Sequence, residues 1–159
     1  MILAVAATAV TFHLTSSAFV DNATIPKRYT CRGADVSPPL RWTAPPPGTK
    51  GLALEVTDTD AADTTTVWFF VHWTAWGFAP RAGSLGEGRS PPEYGLNSFG
   101  RLGYGGPCAP AGRSGDHYVF ALYALRIRPR LETGAPWKVF YDRLIRGNVI
   151  AVTYLNGRS

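Results

Sequence analysis

With 159 residues, 45% hydrophobic side chains and only 17% charged ones, the chain has the material for one packed core, which excludes a disordered protein. Its formal charge of +5 and pI near 9.5 favour anionic partners, yet the lysines and arginines are dispersed and no basic run is interleaved with aromatics, which argues against nucleic acid. Two cysteines, without CxxC spacing or a nearby histidine pair, offer no zinc site, and neither metal nor cofactor is expected.

The chain opens on "MILAVAATAV", too short to span a bilayer and lacking a basic start. Two readings stand for residues 1–10: a truncated export signal, since "ATA" has the small-x-small form of a cleavage site, or an irregular tail. Residues 11–159 read as a single domain. "VTFHLTS" (10–16) alternates as a strand does. The Pro- and Gly-dense stretch 31–51 reads as an ordered loop anchored by Leu40 and Trp42. "LALEV" (52–56) predicts a half-buried strand, and "VWFFVHWTAW" (67–76) a strand covered on both faces.

From 77 to 117 the composition predicts a long irregular region, the kind of segment that carries function in compact domains. "YVFALYALRI" (118–127) and "VIAVTYL" (149–155) read as further strands. Between them, residues 135–148 predict a helix with Pro136 in its first turn and an apolar stripe of Trp137, Phe140, Tyr141, Leu144 and Ile145. Many short strands and one helix imply a mainly β fold.

The chemistry-bearing residues gather at strand ends. If the extended backbone of "LALEV" continues, Asp58 and Asp60 project to one side and meet at the end of the sheet, where two carboxylates need a cation, a proton or donors nearby. His72 is the candidate partner, sharing its side of an extended strand with Trp68, Phe70, Thr74 and Trp76. A plainer reading makes the two aspartates turn caps and His72 a satisfied core histidine. The loop "GYGGPCAPAGRSGDHYVF" (103–120) offers the amides of Gly105 and Gly106 to an anion, but it is no P-loop, because no GKS/T follows. Cys31 and Cys108 read as two buried free thiols in a cytosolic protein, with one disulfide as the alternative.

"LTSSAFVDNATIPKRYTCRGADVSPPLRW", "TDTDAADTTTVWFFVHW", "GLNSFGRLGYGGPCAP" and "HYVFALYAL", in this order over residues 11–157, resemble the phosphatidylethanolamine-binding protein family, in its bacterial and archaeal Raf-kinase-inhibitor-like branch. The resemblance implies an antiparallel two-sheet Greek-key sandwich with a C-terminal helix, long pocket-forming loops and a small anion pocket at the sheet end. In the family an Asp-Pro-Asp-Ala-Pro segment, a strand histidine, a Gly-Pro loop and a His-Arg-Tyr triplet surround the anion. The matching positions are Asp58 and Asp60, His72, Gly106 and Pro107, and Asp116, His117 and Tyr118. Both prolines of the first motif are missing, and Asp116 stands where the family has a pocket histidine, so a third carboxylate opposes an anion. Gly147 and Asn148 replace a Gly-His pair and the end "NGRS" lacks the usual aromatic, which predicts a more open rim.

Three functions follow. The first is a non-catalytic binding protein for a phosphate-type ligand or phospholipid head group, in which His72 donates to the anion and the Gly106 amide completes the cradle. The second, also implied by the resemblance, is a kinase or protease inhibitor that uses the loops between 77 and 117. The third is a hydrolase with His72 as base, for which no Ser or Cys sits in a nucleophile elbow. A cytoplasmic protein is expected, periplasmic or secreted if residues 1–10 are a signal remnant, and not transmembrane. Oligomeric state is left open.

Overall fold

The computed structural model describes residues 11–61, 68–110, 112 and 115–159; the readings of residues 1–10 lie outside them. Among the described residues nine strands form two sheets. The smaller has the order β1 (Leu14–Thr15), β3 (Leu40–Trp42), β6 (Gly83–Leu85). The larger has the order β2 (Ala23–Thr24), β9 (Val149–Arg158), β8 (His117–Leu125), β4 (Gly51–Asp58), β5 (Phe70–Phe78), β7 (Glu93–Tyr94). All pairings are antiparallel except β2 with β9.

The sheets face each other across one core. Leu14, Leu40, Trp42 and Leu85 of the small sheet pack against Leu54, Val56, Phe120, Leu122 and Leu155 of the large one. Each such side chain contributes roughly 1.5–3 kcal/mol relative to exposure. This is the two-sheet sandwich expected.

The outer face of the large sheet has its own cover. Helix α1 (Trp137–Phe140) continues as a wider π-helical turn, Tyr141–Ile145, in which the Arg146 amide donates to the Tyr141 carbonyl. Phe140, Leu144 and Ile145 are thereby buried against Ala53, Trp76 and Leu125, while Tyr141 stays at the surface, stacked on Trp137. The predicted helix over 135–148 is therefore present but shorter, and its stripe does not bury Tyr141.

Because this layer exists, β4 is buried along its whole length rather than half-buried. Glu55 lies beneath it and accepts hydrogen bonds from the Trp137 indole and the Tyr123 hydroxyl. Burial raises the Glu55 carboxyl above its ordinary range against the pull of these two donors.

The strand expected over 10–16 contracts to Leu14–Thr15. Its neighbour His13 instead bonds the hydroxyl and amide of Thr43. The long region 77–117 is less irregular than its composition suggests, for it contains β6, β7 and a bridge between Leu96 and Leu102.

Candidate functional site

β4, β5 and β8 end side by side, and a bulge decides what their ends present. Val56 pairs with Trp73, but the next pair is Thr57 with Val71, so His72 is an extra residue on β5. Strict alternation is broken there. The imidazole turns towards the inter-sheet side and meets Phe70, Phe99 and Tyr118 at ring-centre distances of 5.1, 5.4 and 5.2 Å. Trp76 packs against Phe140 on the opposite face, and Trp68 is 81% exposed. Of the expected companions of His72 on one face, Phe70 is thus a ring neighbour while Trp76 is not, because an unbulged strand was assumed.

The two aspartates part company for a related reason. The Asp58 carboxylate accepts from the amides of Asp60 (2.8 Å) and Ala61 (3.2 Å), a capping turn that ends the extended backbone. Asp58 is therefore both a turn cap and a buried wall of the site. Asp60 instead accepts from the backbone amide and Nδ1 of His117, at 2.7 and 2.8 Å, on the exposed side. The expected meeting of Asp58 and Asp60 is corrected: the turn sends them apart.

At the start of β8, neighbours alternate as a strand requires: Asp116 and Tyr118 point inward and are buried, and His117 is exposed. His117 does not take the inward place of Asp116. The amide of Asp116 donates to the Ser159 hydroxyl, and the Ser159 amide donates to the Asp116 carbonyl, so the last residue is stitched to this edge. Ser159 lines a neighbouring groove with Thr30, Arg32 and Pro107.

These side chains enclose a cavity of about 200 Å³ lined by Asp58, Phe70, His72, Phe99, Cys108 and Asp116, with small residues of the loop 108–110 completing the wall. His72 Nδ1 lies 2.6 Å from the Gly105 carbonyl, an acceptor, so Nδ1 carries the proton and a neutral ring has its lone pair on Nε2. Burial lowers the His72 pKa to about 4, against the opposing pull of the Gly105 and Gly106 carbonyls and of Asp35. At neutral pH this ring is an acceptor. Asp58 is raised by burial, opposed by its two amide donors, with repulsion from Asp116 and Asp60 adding to the rise. Tyr118, held well above the ordinary phenol range by burial and by Asp58 and Asp116, is a neutral hydroxyl without a well-formed hydrogen bond.

Two further expectations are corrected. The Gly106 amide donates to Asp35 Oδ1 at 2.7 Å, and the Gly105 amide to the His72 carbonyl at 3.0 Å, so neither is offered to an anion. Pro107 turns its carbonyl to the Cys31 amide and lines a different groove, with Thr30 and Arg32. Gly106 is indispensable sterically, since a Cβ there would lie 2.2 Å from the Tyr29 carbonyl oxygen.

Cys31 and Cys108 form a disulfide, which overturns the reading of two free thiols. They lie 77 residues apart in sequence, and only the packing of the 27–33 turn on the 104–108 loop brings them together. The sequence reading also missed Asp35, which holds Gly106 and pairs with Arg101 at 3.5 Å, and Phe99. The signal for Phe99 was weak: an isolated aromatic in a glycine-rich loop. Among the described residues no group of three or more His, Cys, Asp or Glu is placed to hold a metal, and no helix is long and apolar enough to cross a membrane.

Two packed sheets with a polar cavity at the strand ends make this a β-sandwich domain. Residues 15–159 match the phosphatidylethanolamine-binding protein family, and the chain belongs to it. A Mycobacterium tuberculosis protein named as a candidate lipoprotein, LppC, is 44% identical over 124 residues, 77% of this chain and 59% of that protein. The chain thus spans about three-fifths of the length of the mycobacterial relatives it matches. A UPF0098 protein of Pyrococcus horikoshii is 38% identical over 150 residues, 89% of this chain and 73% of its own. Among solved structures, a candidate phosphatidylethanolamine-binding protein homologue, CT736 of Chlamydia trachomatis, superposes with a TM-score of 0.85 at 32% identity, covering 95% of this chain and 98% of its own. Escherichia coli YbcL, described as a member of the mammalian family, gives a TM-score of 0.80 at 27% identity over 92% and 96%.

Proposed function

We propose that the cavity between Asp58, His72 and Asp116 binds a small phosphorylated head group through its cationic or protonated end, in the manner of phosphoethanolamine. The observation that carries this reading is the imbalance of the walls. Two carboxylates line the cavity beside an imidazole whose Nδ1 proton is given to the Gly105 carbonyl, with the Tyr118 ring packed against that imidazole. A fully ionised phosphate would meet repulsion from both aspartates. An ammonium group, by contrast, carries the charge that two wall carboxylates attract. The volume, about 200 Å³, is below that of drug-sized sites and suits a head group rather than an acyl chain.

The test compares phosphoethanolamine, ethanolamine and inorganic phosphate by NMR titration, following the His72 ring. Phosphoethanolamine and ethanolamine should shift it, and Asp58→Asn should weaken both at least tenfold. Inorganic phosphate binding as tightly as phosphoethanolamine, or a silent His72, defeats the proposal.

A hydrolase that used Cys108 as nucleophile is disfavoured, because the sulfur is bonded to Cys31. The same disulfide supports an oxidising compartment, hence an extracytoplasmic protein rather than a cytoplasmic one. The test is the thiol state of the protein taken directly from its native cell: blocked thiols support the placement, free thiols refute it. Inhibition of a kinase or protease remains a family-level expectation, carried by no contact described above.

A further inference from the structure

Charges that are scattered along the chain are gathered by the fold. Residues 126–159 hold seven lysines and arginines against two acidic residues, while residues 1–125 hold nine of each, so the shorter stretch carries the whole net charge of +5. Such asymmetry within one chain points to an anionic partner surface. Five of these cations meet Lys50 at one end of the sandwich, where β4 begins, β8 ends and β9 begins. There Gly51 pairs with Leu125, and Leu125 with Val149. The Lys50 amide donates to the Leu125 carbonyl and the Arg126 amide to the Asn148 carbonyl. The Asn148 side chain in turn donates to the Arg143 carbonyl, in the helical segment that leads to Arg146. Pro129 lies against Gly51, where an added Cβ would come within 2.3 Å of the proline ring, and so sets Arg128 and Arg130 beside Lys50. All six cations are exposed, and among the described residues only Arg146 has an ionic partner, Asp142 at 3.8 Å.

We propose that this basic end docks the protein on an anionic phospholipid bilayer. Charge complementarity is the first argument, since unpaired cations beside a negatively charged leaflet each add to the attraction. Their layout is the second. They sit on the ends of strands and of one short helix, not along a projecting helix or ribbon that could enter a groove of duplex nucleic acid, and a planar layer of charge suits that spread. The third is Tyr141, 38% exposed on the helical turn that carries Arg143, with Val139 36% exposed one turn earlier; aromatic and apolar side chains among cations settle at head-group level. β4 runs eight residues from this end to Asp58, roughly 25 Å, which exceeds the screening length of about 8 Å at physiological salt. Docking therefore leaves the cavity between Asp58 and Asp116 facing the aqueous side, and it does not depend on what that cavity binds. Repulsion of Asp58, Asp60 and Asp116 by the leaflet disfavours the reverse orientation.

The test is flotation of the protein with vesicles of phosphatidylglycerol or of phosphatidylcholine. The protein should float with phosphatidylglycerol and stay behind with phosphatidylcholine. About 1 M salt, where the screening length falls to about 3 Å, should release it. Arg128→Gln/Arg130→Gln should weaken binding about 25-fold, at about fivefold for each exposed cation lost. Lys27→Gln/Arg89→Gln removes the same charge towards the cavity end, where Lys27 shares a groove with Ser159 and Arg89 borders a hollow beside Trp73; it should weaken binding by less than about threefold. Equal binding to phosphatidylcholine, persistence in high salt, equal losses in the two variants, or tighter binding to duplex DNA at matched phosphate concentration would each overturn the proposal.

Discussion

Replacing both cysteines by serine should lower stability by an amount that follows from where they sit in the chain. The bond closes a loop with a sequence separation of 77 residues. For a loop of that size the chain-entropy relation gives about 15 cal/mol/K, or ~4.5 kcal/mol at 25 °C, and observed values commonly fall to about 2–4 kcal/mol. Unfolding of a 159-residue chain releases roughly 0.33 kcal/mol/K at its midpoint. The expected fall in Tm for Cys31→Ser/Cys108→Ser, or for the reduced protein, is therefore about 6–13 °C. Circular dichroism with and without reductant measures it. Urea unfolding adds a check on mechanism: the variant's m value should rise, because the unfolded chain is no longer cross-linked. A Tm change below about 3 °C with an unchanged m value refutes the argument. Since Cys108 lines the cavity and the Cys31 amide holds Pro107, the same variant should also bind phosphoethanolamine more weakly.

His72, with a folded pKa near 4 against 6.5 unfolded, takes up its proton in the unfolded state first. Stability is thus full above pH 6.5 and falls as the pH drops towards 4, by up to about 3 kcal/mol. Asp58, raised by burial, works in the opposite sense over the lower part of that window. Urea midpoints at a series of pH values should show the fall, His72→Gln should flatten it, and an identical slope in the variant would refute the assignment. Asp116→Asn removes one wall charge and should strengthen inorganic phosphate binding roughly five- to tenfold by calorimetry; no change would mean that Asp116 does not face the ligand. Glu55→Leu strands the half-buried Trp137 N–H and Tyr123 hydroxyl and should cost about 2–4 kcal/mol in urea unfolding, whereas a loss under 1 kcal/mol would show that these donors find other acceptors.

Local information was sufficient for the core strands. Alternation in 52–56 and the apolar runs 67–76 and 118–127 are short-range patterns, and each marks a strand of the large sheet, Gly51–Asp58, Phe70–Phe78 and His117–Leu125. The blocks shared with the family likewise identified Asp58, His72, Asp116 and Tyr118, which the structure brings to one strand-end neighbourhood. His117, grouped with Asp116 and Tyr118 by the resemblance, is instead turned to the exposed side by the alternation of β8.

Tertiary structure decided the rest, because each remaining feature depends on a partner distant in sequence. The bulge at His72 is a mismatch between β4 and β5, visible only once the two strands pair. The parting of Asp58 and Asp60 depends on the hydrogen bonds of one turn and on a histidine 57 residues further along. Gly106 looked like an anion-binding amide until Asp35, 71 residues earlier, claimed its proton. Cysteine spacing could not choose between thiols and a bond, since that choice rests on whether two loops touch. The amino-acid sequence by itself determined which polar groups stand at the strand ends; the folded contacts determined which of them line the cavity and which are turned to the surface or spent on the backbone.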